Sequence, residues 1–159
     1  MNAFPIPTPY GDFIAVYSEK GLAGLYFPER QNEVLSHPER KVSAKIRDWH
    51  RATLTAVKKF FAGQKAKLPP LDLEGTEFQK SVWRHLLKIK PGSTKSYGEV
   101  AQAVGRPRAV RAVGSACGSN PIPLFIPCHR VLAANKKIGG FGSGLDWKKR
   151  LLAVEGINF

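Results

Sequence analysis

The stretch Ser96–Gly118, SYGEVAQAVGRPRAVRAVGSACG, decides the fold of the chain's second half. Ser96 and Glu99 stand at capping-box spacing and start a short helix that ends near Gly105. Arg106-Pro107 opens a second helix, with proline in the first turn, where a missing N–H costs nothing. Two short helices joined by a tight, glycine-containing turn are the pattern of a helix-turn-helix. In the second helix Val110, Val113 and Cys117 form an apolar stripe expected to face inward. Arg108, Arg111, Ser115 and Gly118 form the opposite stripe. Small residues let a helix backbone approach another surface, and arginine pairs with phosphate or stacks on bases. A solvated face would carry Glu and Lys, and neither occurs between Arg106 and Pro121.

Upstream, Thr76 can cap a helix carrying Phe78, Val82, Trp83, Leu86 and Ile89, ended by Pro91-Gly92. Further back, Phe13–Tyr17 and Leu22–Phe27 flank the turn signal Ser18-Glu19-Lys20-Gly21 and predict a hairpin. Residues 31–41 read as a polar loop. Ile46, Trp49, Thr53, Leu54, Val57, Phe60 and Phe61 recur at helical spacing, with Gly63 as a stop. Leu68–Leu73, despite Pro69-Pro70, is expected to add a short strand before a linker.

Downstream lies an apolar, proline-punctuated run, Asn120-Pro121-Ile122-Pro123-Leu124-Phe125, that leads into Ile126-Pro127-Cys128-His129-Arg130-Val131. Cys128 thus sits between a cis-capable proline and a histidine, in a segment expected to be buried and rigid. A thiolate is the nucleophile, and a neighbouring imidazole or cation promotes it. Taken in isolation, a Cys-His pair reads first as an inert core cysteine beside a histidine, and the rest of the chain reverses that reading. The glycine-rich loop Gly139–Gly144 lacks the GxxxxGK[ST] spacing of a phosphate-binding P-loop. Residues 146–155 read as a helix with Leu151, Leu152 and Val154 apolar and Gly156 as its stop. Glu155, at its C-terminus, opposes the helix dipole by roughly 0.3–1 kcal/mol. It is either an exposed, mildly unfavourable residue or the third member of a Cys–His–carboxylate arrangement.

Among 159 residues, 25 Lys and Arg face 12 Asp and Glu, a formal charge of +13 that points to a polyanionic partner. The 43% hydrophobic content excludes a disordered tail. With two cysteines, Cys117 and Cys128, and no CxxC pair, a zinc site is not expected. His37, His50, His85 and His129 are too scattered to propose as ligands. No signal peptide or membrane-spanning run is read, and the thiols are expected to sit in a reducing cytosol.

Taken together, Ser96-Tyr97, Arg111-Ala112-Val113-Gly114, Asn120-Pro121, Pro127-Cys128-His129-Arg130-Val131 and Glu155-Gly156 resemble the methylated-DNA–protein-cysteine methyltransferases, also called O6-alkylguanine-DNA alkyltransferases. The resemblance runs from about Thr8 to Gly156. It implies an α+β fold: a small ribonuclease-H-like α/β domain over residues 1–73, then a mainly helical catalytic domain of winged, helix-turn-helix type over residues 74–159. It implies a DNA repair protein that moves an alkyl group, such as methyl, from O6-alkylguanine to its own cysteine, irreversibly and once per molecule, with the base flipped out of the duplex. O4-alkylthymine is a further candidate substrate.

In that family's scheme Cys128 would accept the alkyl group, His129 would act through a water as its base, and Glu155 would orient His129. Tyr97 would donate toward the flipped base, and Asn120 would brace the turn before the cysteine. Arg111 would enter the duplex in place of the extruded nucleotide, with Ser96, Arg108, Ala112, Gly114 and Ser115 also on the DNA side. Pro123, Val131, Phe141, Gly142 and Ser143 would form the alkylated-base pocket. No cofactor and no metal are implied. The implied partner is double-stranded DNA bearing O6-alkylguanine, bound through the minor groove by a monomer in the cytoplasm or nucleoid and away from membranes; cooperative assembly on DNA is left open.

Two departures stand out. Phe141 occupies a position where many relatives carry tyrosine, and the first domain lacks the cysteines of zinc-containing relatives. Relatives that bind lesions without repairing them carry tryptophan in place of the acceptor, so Cys128 argues against a purely lesion-binding module. A thiol hydrolase built on Cys128, His129 and Glu155 would leave the charge and the Arg111 face unexplained.

Overall fold

The computed structural model describes residues 1–34 and 42–159, and the chain divides into two compact units, Met1–Glu74 and Gly75–Phe159. Residues 35–41, with His37 and the end of the expected polar loop, lie outside the described residues. Both units together make a mixed α/β protein. No helix among the described residues is long and apolar enough to cross a membrane.

The first unit holds a three-stranded antiparallel sheet, β1 (Asn2–Thr8), β2 (Gly11–Tyr17) and β3 (Leu22–Tyr26), in the order β1-β2-β3. The expected hairpin is β2–β3, closed by the Ser18 amide donating to Gly21 O at 3.0 Å. Strand β1 is an addition to the sequence reading, because Pro5 and Pro7 look like breakers. As the sheet's edge, β1 tolerates prolines whose missing N–H would otherwise be needed inside a ladder. Pro28–Glu33 then forms a 3-10 helix where the polar loop was expected to begin.

Helix α1 (Ala44–Phe61) is capped by Ser43, whose Oγ accepts from the Ile46 amide at 3.2 Å, and it buries Ile46, Thr53, Ala56 and Val57. It stops at Gly63, held at φ 70°, with amides of Gly63 and Gln64 returning to Phe60 O and Lys59 O, a Schellman cap. The strand expected over Leu68–Leu73 is not formed: only Leu71 bridges to Leu22. Pro69 and Pro70 supply no amide N–H, so a ladder cannot run through them.

The second unit begins with α2 (Glu77–Leu86), whose capping box pairs Thr76 with Gln79. It buries Val82, Trp83 and Leu86, and the Trp83 indole donates to Ala116 O at 2.8 Å. Two-residue strands β4 (Lys95–Ser96) and β5 (Val131–Leu132) pair in parallel. That pairing fixes the start of α3 beside the chain leaving Cys128. Helix α3 (Tyr97–Ala103) has the capping box of Ser96 and Glu99 and ends at Gly105, φ 77°. The amides of Gly105 and Arg106 return to Gln102 O and Ala101 O in a second Schellman cap.

Helix α4 (Val110–Gly118) starts later than the sequence suggests. Pro107 is not in its first turn but in a separate turn closed by the Ala109 amide to Arg106 O at 2.9 Å. Starting at Val110 also rotates the expected stripe: Val113 and Ala116 are buried, while Val110 is 42% exposed. Helix α5 (Leu145–Val154) closes the unit and buries Trp147, Lys148, Leu151 and Leu152.

Two glycines of this unit are expected to respond oppositely to alanine. Gly105 has open space for a Cβ but a left-handed φ, so Gly105→Ala costs about 1 kcal/mol. Gly114 lies inside α4 with ordinary φ and open space, so Gly114→Ala stabilises by about 0.5–1 kcal/mol. Thermal or urea unfolding of the two variants checks both signs.

Candidate active site

Between α4 and β5 the chain cannot form regular structure, because Pro121, Pro123 and Pro127 remove three amide donors. Asn120 organises it instead. Its Oδ1 accepts from the Ile122 amide at 2.9 Å and its Nδ2 donates to Ile126 O at 2.7 Å. The Ile126 amide returns to Ile122 O at 2.9 Å, which holds the buried Leu124 at φ 73°. A leucine there is strained by on the order of 1–3 kcal/mol, tolerable only in a segment fixed on all sides. Every residue from Ile122 to Leu132 is buried.

This segment delivers Cys128 into a 3-10 turn, Cys128–Arg130, with all peptide bonds trans, Pro127 included, among the described residues. The thiol is 5% exposed. It lines a cavity of about 310 Å³. One wall is α4, through Gly114, Cys117 and Gly118; the other is the loop Gly140-Phe141-Gly142, with Tyr97 completing it. Burial pushes the Cys128 thiol up to about 11, against the Asn120 side chain, the Lys148 charge and nearby amides, which favour the thiolate. At rest the group is a neutral thiol. Cys117 is raised to about 12, again chiefly by burial.

His129 is fully buried and points to Glu155: its Nε2 lies 2.7 Å from Oε2. Arg130 donates to the same carboxylate from Nε at 2.8 Å and from its terminal nitrogen at 2.9 Å, and also to Ile89 O at 2.6 Å. The Gly92 amide adds a fourth bond to Oε1, at 3.1 Å. Burial alone would raise Glu155, but the hydrogen bonds and charges of its basic partners prevail and bring it down to about 2. Burial lowers His129, leaving it neutral despite the carboxylate. An ionised carboxylate only accepts, so Nε2 carries the proton and Nδ1 keeps the basic lone pair. Glu155 is thus not the exposed residue that one reading of the sequence allowed: its carboxylate is buried against His129.

Tyr97, first residue of α3, has its hydroxyl raised to about 12 by burial and secondarily by the two thiols, so it remains a donor. Its ring leaves room only for glycine at 139, where a Cβ would meet Cε2 at 3.3 Å and φ is 72°. Arg108, Arg111, Ala112 and Ser115 are exposed around α4, and Gly114 is half-buried on the cavity wall. The Ser96 hydroxyl caps α3, accepting from the Glu99 amide at 3.0 Å. Of the residues expected around the base, Phe141 and Gly142 line the cavity. Pro123 and Val131 are buried and Ser143 is half-buried, and none of the three is on the lining.

Lys148 was missed. It is fully buried, donates to Val131 O at 2.7 Å and Gly140 O at 3.1 Å, and stands 5.8 Å from the Tyr97 ring centre. Burial lowers its ammonium to about 8. The lysine therefore ties the loop wall of the cavity to the strand after Cys128. Its position was legible: residue 148 precedes Leu151 and Leu152 by three and four, on the apolar face of α5.

The chain matches the family described as "6-O-methylguanine DNA methyltransferase, DNA binding domain" over residues 77–157. A methylated-DNA–protein-cysteine methyltransferase of Methanosarcina acetivorans is 40% identical over 153 residues, 94% of each chain. Among solved structures, Mycobacterium tuberculosis OGT in complex with DNA superposes with a TM-score of 0.79 at 36% identity, covering 98% of this chain and 92% of that one. An O6-methylguanine DNA methyltransferase from Methanococcus jannaschii gives 0.70 at 31% identity, covering 98% and 95%.

Two outcomes test the electrostatics. Glu155→Gln should cost about 3 kcal/mol at pH 7, because Arg130 and His129 lose their anion. Glu155 is depressed on folding, so its contribution is present above the unfolded value of about 4.3 and is lost as pH falls toward 2. The gap between parent and variant in urea unfolding should therefore shrink over that window; a gap independent of pH would contradict the assignment. Separately, iodoacetamide at pH 8 should modify Cys128 in the folded protein about 100-fold more slowly than in the urea-unfolded chain, since burial holds the thiol near 11.

Proposed function

The chain belongs to the methylated-DNA–protein-cysteine methyltransferases, and from that premise we propose that it repairs alkylated DNA by transferring the alkyl group of O6-alkylguanine to its own Cys128. The observation that carries this reading is the buried Cys128 thiol in a cavity walled by α4, the helix that also presents Arg111 outward. A substituent on O6 cannot meet such a thiol from inside a duplex, so the nucleotide is extruded, at a cost of a few kcal/mol. Arg111 takes its place in the stack.

The charge of the second unit supports a DNA face. Residues 75–159 carry 14 Lys and Arg against 4 Asp and Glu, so most of the chain's positive excess lies there. Helices α3 and α4 act as a helix-turn-helix laid on the minor groove, with Arg106, Arg108 and Arg111 at the N-terminal end of α4 favouring phosphate. The first unit is read as the ribonuclease-H-like domain, and the protein as a monomer acting where DNA is held, in the cytoplasm or nucleoid.

The chemistry follows from the residues. His129 Nδ1, through a water, takes the thiol proton. The thiolate attacks the alkyl carbon, an S–C bond forms and the C–O6 bond breaks. Tyr97 donates toward the departing base, so guanine leaves neutral, and the proton taken up by His129 returns through water to restore the tyrosine hydroxyl. Asn120 holds the thiol's turn in place throughout. The product thioether is neither hydrolysed nor exchanged by Cys117, because it is not a disulfide. One molecule removes one lesion.

Incubation with a duplex carrying O6-methylguanine, followed by intact and peptide mass spectrometry, should show one methyl group on the Cys128 peptide at 1:1 stoichiometry. Unmodified protein, a methyl on Cys117 instead, or multiple turnovers would refute the reading, and so would transfer surviving Cys128→Ser. Arg111→Ala should slow transfer from duplex far more than reaction with the free methylated base; equal slowing would remove Arg111 from base extrusion.

A further inference from the structure

The first unit carries its positive charge in one place. Helix α1 holds five basic residues, Lys45, Arg47, Arg51, Lys58 and Lys59, against one acid, Asp48. The other residues of Met1–Glu74 hold six basic and seven acidic side chains, a mixture close to neutral. All five cations of α1 are exposed. At 3.6 residues per turn, Arg47, Arg51 and Lys58 fall within about 40° of the helix circumference and span about 16 Å of its length. Helix electrostatics does not explain that line. Lys58 and Lys59 suit the negative C-terminal end of α1. Lys45 and Arg47, however, stand in its first turn, which has no acid and where the dipole disfavours a cation. Ion pairing does not explain it either. Lys45 lies over the Trp49 ring at 5.1 Å, and Arg51 meets Asp48 at 3.6 Å. Among the described residues no carboxylate lies within ion-pair reach of Arg47 or Lys58.

We propose that the outward face of α1 docks on the phosphate backbone of DNA, giving the first unit a contact that is independent of base sequence and of the lesion. The proposal goes beyond the alkyl-transfer reading, which puts DNA on the second unit alone. A row of cations meets a polyanion by displacing its counterions, and it reads charge rather than bases. Ala44, Thr55 and Ala62, exposed beside the line, are short and leave the long basic side chains free to reach phosphates. A lipid surface fits less well, because a membrane-lying helix adds large apolar side chains to its basic face. Helix α1 exposes none: Ile46, Ala56 and Val57 are buried on the side that packs on β1 and β2.

The whole chain and its double variant Arg47→Gln/Arg51→Gln are titrated with an undamaged duplex over a series of salt concentrations. Each phosphate contact contributes about 0.9 to the slope of log affinity against log salt, so the variant's slope should be smaller by about 1.8. The control Lys20→Gln/Lys67→Gln removes the same charge from exposed positions off the helix, and its slope should stay within about 0.5 of the parent's. A slope change below about 1 in the α1 variant, or an equal change in the control, overturns the proposal. So does a variant that keeps the duplex slope but loses binding to vesicles containing phosphatidylserine, because the face then belongs to lipid. Arg47→Lys/Arg51→Lys keeps the charge and should keep the parent slope; a loss as large as with glutamine overturns the proposal. Methyl transfer from free O6-methylguanine base should be equal in all these proteins, and a lower rate in the α1 variant alone would show an effect that does not act through DNA and overturn it. A parent that transfers no methyl group defeats the alkyl-transfer reading and leaves the salt slopes to decide this one.

Discussion

A single carboxylate, Glu155, accepts four hydrogen bonds in a place almost closed to water, and the site's geometry depends on it. His129 and Arg130 reach it from the turn that carries Cys128, Gly92 from the loop after α2, and Glu155 itself caps the end of α5. Arg130 adds the bond to Ile89 O. One anion thus joins three segments that are distant in the chain. A buried ion pair is a poor source of net stability, since desolvation offsets most of the attraction, but breaking one side leaves the other charge stranded. What the arrangement supplies is definition: one tautomer of His129, one orientation of its ring, and one position for the turn that ends in the thiol.

On the other side of Cys128 the positive charge of Lys148 does comparable work for the pocket. Its ammonium bonds two carbonyls, one on β5 and one on the loop that forms a cavity wall. Asn120 does the same with amide chemistry, holding the proline-rich segment through one acceptor and one donor. The prolines make these polar anchors necessary: with three amides missing and the whole stretch from Ile122 to Leu132 buried, backbone groups there must find partners outside regular structure. The strained φ of Leu124 fits the same account, a local cost borne by a segment that is over-determined from both ends.

Much of this was legible in the chain. The capping boxes at Thr76 and Ser96, the stops at Gly63 and Gly105, and the β2–β3 hairpin follow from local chemistry, because each depends on residues within a few positions of one another. Strand β1 was not, because Pro5 and Pro7 look like breakers unless one knows that the strand is an edge. The start of α4 was misplaced because proline suits both the first turn of a helix and the turn before it; the Schellman cap at Gly105 decides between them. Cys128, His129 and Glu155 could be singled out by residue type, yet their partnership rests on contacts 26 residues apart that spacing does not encode. Arg130, quoted only as part of its motif, and Lys148 were given no role for one reason: a basic residue in a strongly basic chain looks like surface, and only burial reveals that these two are internal.

The resting state of Cys128 fits a nucleophile that is used once. With the thiol held near 11 by burial, forming the thiolate at pH 7 costs about 5 kcal/mol, and the thiolate fraction is on the order of one in ten thousand. For a turnover enzyme that would be a standing loss of rate. For a sacrificial acceptor it is protection, since any diffusing electrophile that reached a ready thiolate would consume the protein without repairing anything. Activation is then tied to the arrival of the right base. In the proposed mechanism the His129 Nδ1 lone pair takes the proton, the Tyr97 hydroxyl donates toward the departing guanine, and the alkyl carbon is held beside the sulfur, so ionisation and displacement are driven together rather than in advance. On that proposal the burial that suppresses the thiol also sets the route to it, because the sulfur opens onto the cavity between α4 and the loop Gly140-Phe141-Gly142.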